Sequence, residues 1–250
     1  MRALGFTASF IATWAIAMAY INVCVFESAA LPTAMEYLFP SMKAGFLYRV
    51  EGADVYASMV AVGIAAAIIM TAINYVGISF AAFVQTVAIG LVLTVGILFL
   101  IGVLNYDLPA DPVPLMTDGY TGVLTVLMMV PALMVGFDVI PQSAEEINLP
   151  QKQIGKVLIL SVGLAVLWYI AITFAVGMSL TPYQLEMTGA ATADAMSVAW
   201  GSNIAGALMI VAGIGGILTS WNAFIIGGSR VLFALSESGM LPAIFSRIHP

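Results

Sequence analysis

Between Val55 and Tyr106 the chain runs for 52 residues without one Asp, Glu, Lys or Arg. One helical crossing of a bilayer needs about 20 apolar residues. The stretch is therefore too long for one span and suits two, joined at Asn74-Tyr75-Val76-Gly77. The rest of the chain agrees: 62% of residues are hydrophobic, 8% are charged, and the mean hydropathy is +1.08. A soluble domain carries about 25% charged residues, so the sequence reads as an integral membrane protein.

The remaining apolar runs then become spans. Arg2, the run after it and Ser28-Ala29-Ala30 imitate a signal peptide, but Leu4 to Phe26 is 23 residues without a charge. A signal-peptide core is shorter, about 7–15 residues, so the run is read as a retained helix. Six transmembrane helices are predicted at about 4–38, 55–74, 78–104, 121–143, 157–180 and 201–236, in one membrane domain covering 1–250. Barrel strands would alternate over about 10 residues each; no such alternation is read, and the expected class is all-α, polytopic.

Composition also narrows chemistry. Cys24 and His249 are each the sole residue of their type, which excludes an internal disulfide and leaves no His/Cys metal centre to build. Neither a cofactor nor a metal is expected. The formal charge of −6 comes from scattered acids, and without a basic patch nucleic acid is not an expected partner. Segments 105–120 and 181–200 are acidic and lack Lys and Arg. Placing Arg2, Lys152, Lys156, Arg230 and Arg247 in the cytoplasm leaves only Lys43 and Arg49 outside. That asymmetry predicts a cell-membrane protein with both ends of this chain cytoplasmic.

Within the fourth span, Pro131-Ala132-Leu133-Met134-Val135-Gly136-Phe137-Asp138 places a helix breaker, a glycine and a carboxylate in an otherwise apolar run. Hydrocarbon tolerates such a break only where neighbours or a wet cavity take up the freed backbone groups. Broken helices of this kind form solute sites in secondary transporters; a proline kink that only helps helices pack is the alternative. Asp138, an intramembrane acid, would accept a proton or meet the substrate, or else cap the second half-helix at the interface. Glu145 and Glu146, with Lys152 and Lys156 nearby, form either a gating salt-bridge network or a solvated loop. Glu27, after the first apolar run, is expected to reach the outer headgroups in preference to a cavity. Tyr20 lies mid-span and is a better pocket candidate than Trp14, which is six residues away and does not share its helical face.

The segment Gly136-Phe137-Asp138 through Glu145-Glu146 to Pro150 resembles the sixth helix and following loop of the amino acid–polyamine–organocation (APC) family of permeases. Ser229-Arg230-Val231-Leu232-Phe233-Ala234-Leu235 through Gly239 to Leu241-Pro242 resembles that family's eighth helix and its exit. Asn74-Tyr75-Val76-Gly77 is similar to its turn between the fourth and fifth helices. The three motifs come in the family's order and spacing over nearly the whole chain. Departures are Leu149 where Asn usually precedes the proline, Gly155 where a second proline is common, and Ser238 where Asp often precedes the glycine.

The resemblance implies a ten-plus-helix fold of two inverted five-helix repeats (5+5). The six spans would be helices three to eight, so the chain is expected to be a fragment of a longer permease. It implies secondary active transport of an amino acid or related amine by alternating access, with the lipid bilayer, a small-molecule substrate and a coupling H+ or Na+ as partners. Substrate contacts would come from Tyr20, Ala132, Met134, Val135, Gly136, Phe137, Trp221 and Phe224; Ala132 is small where the family often places a gating aromatic. Coupling or gating would fall to Asp138, Glu145, Glu146, Thr219, Ser220 and Asn222. Hydroxyls of Thr219 and Ser220 would suit sodium, although such side chains more often bond a neighbouring helix or their own backbone. Some relatives use a lysine in the fifth helix, and Phe80 to Leu104 contains none. The rival classes are a channel-like or receptor-like membrane subunit and an intramembrane enzyme; for the last there is no paired-Asp motif, Ser-His pair or metal set.

Overall fold

The computed structural model of the chain describes residues 5–50, 52–76, 78–107, 109, 113–114, 119–133, 136–137, 139–142 and 150–247. Within them run helices α1 (Gly5–Leu38), α2 (Ala57–Val76), α3 (Ile78–Leu104), α4 (Gly119–Leu133) and α5 (Val139–Gln142). Helices α6 (Gln151–Ser179), α7 (Pro182–Met187), α8 (Ala191–Trp200) and α9 (Asn203–Glu237) follow, and a hairpin of β1 (Phe46–Val50) and β2 (Ala53–Tyr56) joins α1 to α2. Runs this apolar must satisfy their own backbone groups, and the α-helix does so within one segment.

Five of these helices, α1, α2, α3, α6 and α9, are long and apolar enough to cross a membrane. The predicted fourth crossing differs. Helix α4 has 15 residues, about 22 Å of rise, short of the roughly 30 Å hydrocarbon core. Among the described residues α4 runs to Leu133, and the chain is helical again in the four residues of α5. Gly136 between them has φ +110°, a value no α-helix contains.

Helix α9 is the hub, packing on α1, α2, α3, α5 and α8. Three apolar clusters sit along it. Val95, Phe99, Ala175, Leu180, Met196 and Ala212 join α3, α6, α8 and α9. Ala17 and Tyr20 of α1 meet Phe224, Val231 and Leu235 of α9. Leu31, Met70 and Trp221 join α1, α2 and α9. Outside the clusters the helices are clad in aliphatic side chains, such as Met128 of α4 and Ile159 of α6, a surface suited to lipid tails.

Two features differ from the sequence expectation. Phe46–Val50 and Ala53–Tyr56 form paired strands, in register Phe46↔Tyr56, Tyr48↔Val55, Arg49↔Asp54 and Val50↔Ala53, with Gly52 at φ +89°. As a result α2 starts at Ala57, two residues later than expected. Segment 181–200, expected as a polar connection, folds into α7 and α8. Thr181 starts α7 with a capping box: its hydroxyl accepts from the Gln184 N–H while the Gln184 side chain accepts from the Thr181 N–H.

The two cations that break the charge asymmetry both have partners. Lys43 Nζ lies 2.7 Å from Glu36, and Arg49 Nε lies 2.5 Å from Asp54 on the opposite strand. The hydrogen bond from Arg49 holds the Asp54 carboxyl below the usual carboxylate range.

Candidate functional site

Three of the residues singled out from sequence meet where α1, α9 and the α4–α5 interruption converge. Tyr20 is 1% exposed, and its ring centroid lies 5.3 Å from that of Phe224, tilted by 57°, a favourable aromatic geometry. Gly136 faces the same ring: a Cβ on it would stand 3.4 Å from Phe224 Cζ. Val139, at the start of α5, packs into this group, and Gly227 lets it close. A Cβ on Gly227 would come within 3.1 Å of both Tyr20 and Val139.

The interruption supplies backbone chemistry. The last carbonyls of a helix have no partner within it, and a helix C-terminus carries a partial negative charge that suits an amine. After the break, Val139 N–H donates to the Gly136 carbonyl and Ile140 N–H to the Phe137 carbonyl, both at 3.2 Å. Phe137 itself is 48% exposed. Met134, Val135, Asp138, Glu145 and Glu146 lie outside the described residues, as does the side chain of Ala132.

The polar residues of α9 point in different directions. Thr219 donates to the Gly216 carbonyl of its own helix at 2.8 Å. The Ser220 hydroxyl lies beside the Glu27 carboxyl of α1. Asn222 is 4% exposed and sits mid-chain in an amide network. Asn74 of α2 donates to its Oδ1 at 2.8 Å, and its own amide donates to Gln85 Oε1 of α3 at 3.2 Å. Gln85, Thr219 and Asn222 line a small cavity of about 10 Å³, with Met70, Ala88 and Leu218 among its other walls. Trp221, 2% exposed, packs with Leu31 and Met70, one cluster away from the Tyr20–Phe224 pair.

Sequence reading missed two of these placements. Glu27, expected at the headgroups, is 6% exposed and turned toward α9. It stands seven residues after Tyr20, two turns along the same helical face, so an inward Tyr20 already implied an inward Glu27. Gln85 was passed over, although an amide within a 52-residue uncharged stretch has few ways to be satisfied except by another helix. At the far end of α1, the Tyr37 hydroxyl donates to Asp194 of α8 at 2.8 Å, and Thr188 bonds the other carboxylate oxygen. Among the described residues no group of His, Cys, Asp and Glu could hold a metal ion.

Long apolar helices ranged around α9, with an interrupted helix against two of them, define an all-α polytopic membrane protein of the transporter class. Its sequence is more specific: the profile of the amino acid permease family matches residues 2–250, and the chain belongs to that family. It is 28% identical over 254 residues to the methylthioribose transporter of Bacillus subtilis (strain 168), covering 99% of this chain and 54% of that protein. It is 27% identical over 227 residues to cationic amino acid transporter 9, chloroplastic, of Arabidopsis thaliana, covering 89% of this chain and 39% of the relative. The branched-chain amino acid permease BcaP of Bacillus subtilis is 25% identical over 181 residues, 72% of this chain and 39% of its own. The chain thus spans about half or less of the length of these relatives. All three are named as transporters or permeases, not enzymes.

Proposed function

We propose that the protein carrying this chain moves an amino acid or related amine across the cell membrane by alternating access. The observation that carries the proposal is the interrupted helix: Gly136, at φ +110°, faces Phe224, which in turn packs on the buried Tyr20. A solute there meets backbone acceptors from the end of α4 and aromatic faces from two other helices. The names of the relatives, which include cationic and branched-chain amino acid transporters and a methylthioribose transporter, support a small polar substrate.

In this proposal Tyr20, Ala132, Met134, Val135, Gly136, Phe137, Trp221 and Phe224 surround the substrate. Asp138, Glu145, Glu146, Thr219, Ser220 and Asn222 couple or gate, with H+ or Na+ as the driving ion. The α4–α5 segment is the fourth of six crossings, these being helices three to eight of an inverted-repeat fold, and both ends of the chain face the cytoplasm. Uptake of a radiolabelled amino acid mixture into proteoliposomes containing the full-length protein tests the activity. Uptake above that of protein-free liposomes is expected; none, from protein that is monodisperse and folded, would overturn the proposal.

A further inference from the structure

Helix α2 fixes the depth of the hairpin that precedes it. Its 20 residues carry no charge and rise about 30 Å, the thickness of the hydrocarbon core. Ala57 therefore lies at the hydrocarbon boundary, and α2 shows Val60, Ile64 and Ile68 to lipid from its first turn onward. Strand β2 ends at Tyr56, with no linker before the helix. The other side of the hairpin is pinned to the same turn. The Ala57 N–H donates to the Gly45 carbonyl at 2.7 Å, the Ala44 N–H to the Ser58 hydroxyl at 3.1 Å, and that hydroxyl to the Met42 carbonyl. The base of the hairpin is thus held in the headgroup layer.

That layer is thin. A bilayer measures about 40–45 Å with its headgroups and about 30 Å without them, which leaves roughly 5–8 Å on each side. The five residues of β1 span about 16 Å. A hairpin standing on end would carry its tip into water, whereas one lying along the membrane keeps its whole length in the layer.

The two faces of the hairpin decide between these. Paired residues share a face and successive ones alternate. The register Tyr48↔Val55 and Val50↔Ala53 therefore collects Tyr48, Val50, Ala53 and Val55 on one face. Tyr48 is 54% exposed and Val50 53%. The opposite face carries Arg49, bonded to Asp54, and the ring pair Phe46–Tyr56 with centroids 6.2 Å apart. Its two charges satisfy each other and stay hydrated, since the Arg49 side chain is 63% exposed. A lone two-stranded hairpin in water is marginally stable at best, so the apolar face needs a surface beneath it. Tyrosine favours the membrane–water boundary.

We propose that the β1–β2 hairpin lies along the bilayer, with its Tyr48, Val50, Ala53 and Val55 face set into the phospholipid headgroup layer. Its Arg49–Asp54 face turns to water. The occupant of the apolar face is the lipid of the leaflet in which α1 ends and α2 begins. That face is continuous, through Ala57, with the lipid-clad surface of α2, which favours lipid over a second copy of the chain or another protein segment. The hairpin is then an interfacial anchor that sets the depth of the joined ends of α1 and α2, whatever solute the protein carries.

The test places nitroxide labels on the full-length protein in phosphatidylcholine–phosphatidylglycerol proteoliposomes. Tyr48→Cys, Arg49→Cys and Val50→Cys are labelled singly, with every other cysteine replaced. Power saturation then compares collision with oxygen, which concentrates in lipid, and with a water-soluble nickel chelate. Oxygen should exceed nickel at positions 48 and 50, and nickel should exceed oxygen at 49. Losing the Arg49 ion pair for this purpose costs only about 0–1 kcal/mol. A second measurement needs no label: Tyr48→Trp should add fluorescence that phospholipids brominated near the headgroup quench. Nickel exceeding oxygen at 48 and 50 would show the hairpin standing in water. Exclusion of both reagents there would show protein covering the face. Either result, or added fluorescence that brominated lipid leaves unquenched, overturns the proposal.

Discussion

Replacing Gly136 is the sharpest test of whether the interruption of the fourth span is a site or a kink. Two costs can be separated at this position. At φ +110° any residue with a Cβ is strained, by about 1–3 kcal/mol. Gly136→Ala meets mainly that cost, because its Cβ would stand 3.4 Å from Phe224 Cζ, an ordinary contact. If the strain falls on the transport-competent conformation alone, uptake drops by about 5- to 150-fold. Gly136→Leu adds further carbons beyond that Cβ, into space the Phe224 ring already fills. The ring cannot retreat freely, since its centroid is 5.3 Å from that of Tyr20, near the close end of the roughly 4.5–7 Å aromatic range. Leucine should therefore abolish uptake at normal expression and membrane insertion. Gly155→Leu is the control, because that glycine lies inside α6 and no described residue comes within 4 Å of its Cβ position. Radiolabelled uptake, with surface expression and size-exclusion profiles in parallel, reads the difference. Normal uptake by well-expressed Gly136→Leu would refute the reasoning and reduce the break to a packing kink.

In a Cys24→Ala background, Asp111→Cys should react with an impermeant thiol reagent from outside intact cells while Gln151→Cys stays protected; the reverse pattern would invert the orientation. Gly63→Ala puts a Cβ 2.4 Å from the backbone oxygen of Ser28, which cannot swing aside, so α1 and α2 must separate. Overpacking of this kind costs about 1–3 kcal/mol, readable as a lower melting temperature in detergent; an unchanged one would argue against the α1–α2 contact. Tyr37→Phe removes the bond to Asp194 and should destabilise by about 1–2 kcal/mol, an effect that Asp194→Ala should largely mask in the double variant. Arg49 holds the Asp54 carboxyl below its ordinary range, so the folded form binds that proton less well than the unfolded one. Stability from the pair is complete above the unfolded value, near pH 3.9, and is lost as pH falls through the lower folded value. Hydrogen exchange at Val50 and Ala53 should quicken over that acid window, and Asp54→Asn should remove the dependence.

The membrane helices were legible because hydrocarbon leaves the backbone almost no choice. Ile78–Leu104 needs only its lack of charge to be read as a helix. What lies at or beyond the interface escapes that constraint. Phe46-Leu47-Tyr48-Arg49-Val50 alternates over five residues, with apolar Leu47 blurring the pattern, and the strand depends on pairing with Ala53–Tyr56, which a local scan does not weigh. Helix α7 did leave a signal. Thr181-Pro182-Tyr183-Gln184 carries a capping box and a proline in the first turn, but the segment's acidity and lack of Lys and Arg drew attention instead. The break at Gly136 was readable from Pro131 and the glycine together; its position against Phe224 was not, since nothing local relates a residue in the fourth span to one in the last.

The same limit explains the polar residues of α9. Thr219, Ser220 and Asn222 look like one cluster in the sequence, and a cluster of oxygens suggests one ion. On a helix, however, adjacent residues are about 100° apart, and hydrocarbon forces each polar group to find a partner in the direction it points. Thr219 turns back to Gly216, Ser220 reaches Glu27 on α1, and Asn222 bridges Asn74 on α2 to Gln85 on α3. Ser220 and Asn222 therefore tie α9 to three other helices, while Thr219 is satisfied within its own. Changing Ser220 should be felt at Glu27, and changing Asn222 at the α2–α3 turn. That division follows from the helical period once one of the three directions is fixed. The buried Tyr20–Phe224 pair fixes it, because Ser220 lies one turn from Phe224 and Glu27 two turns from Tyr20 on the same pair of faces.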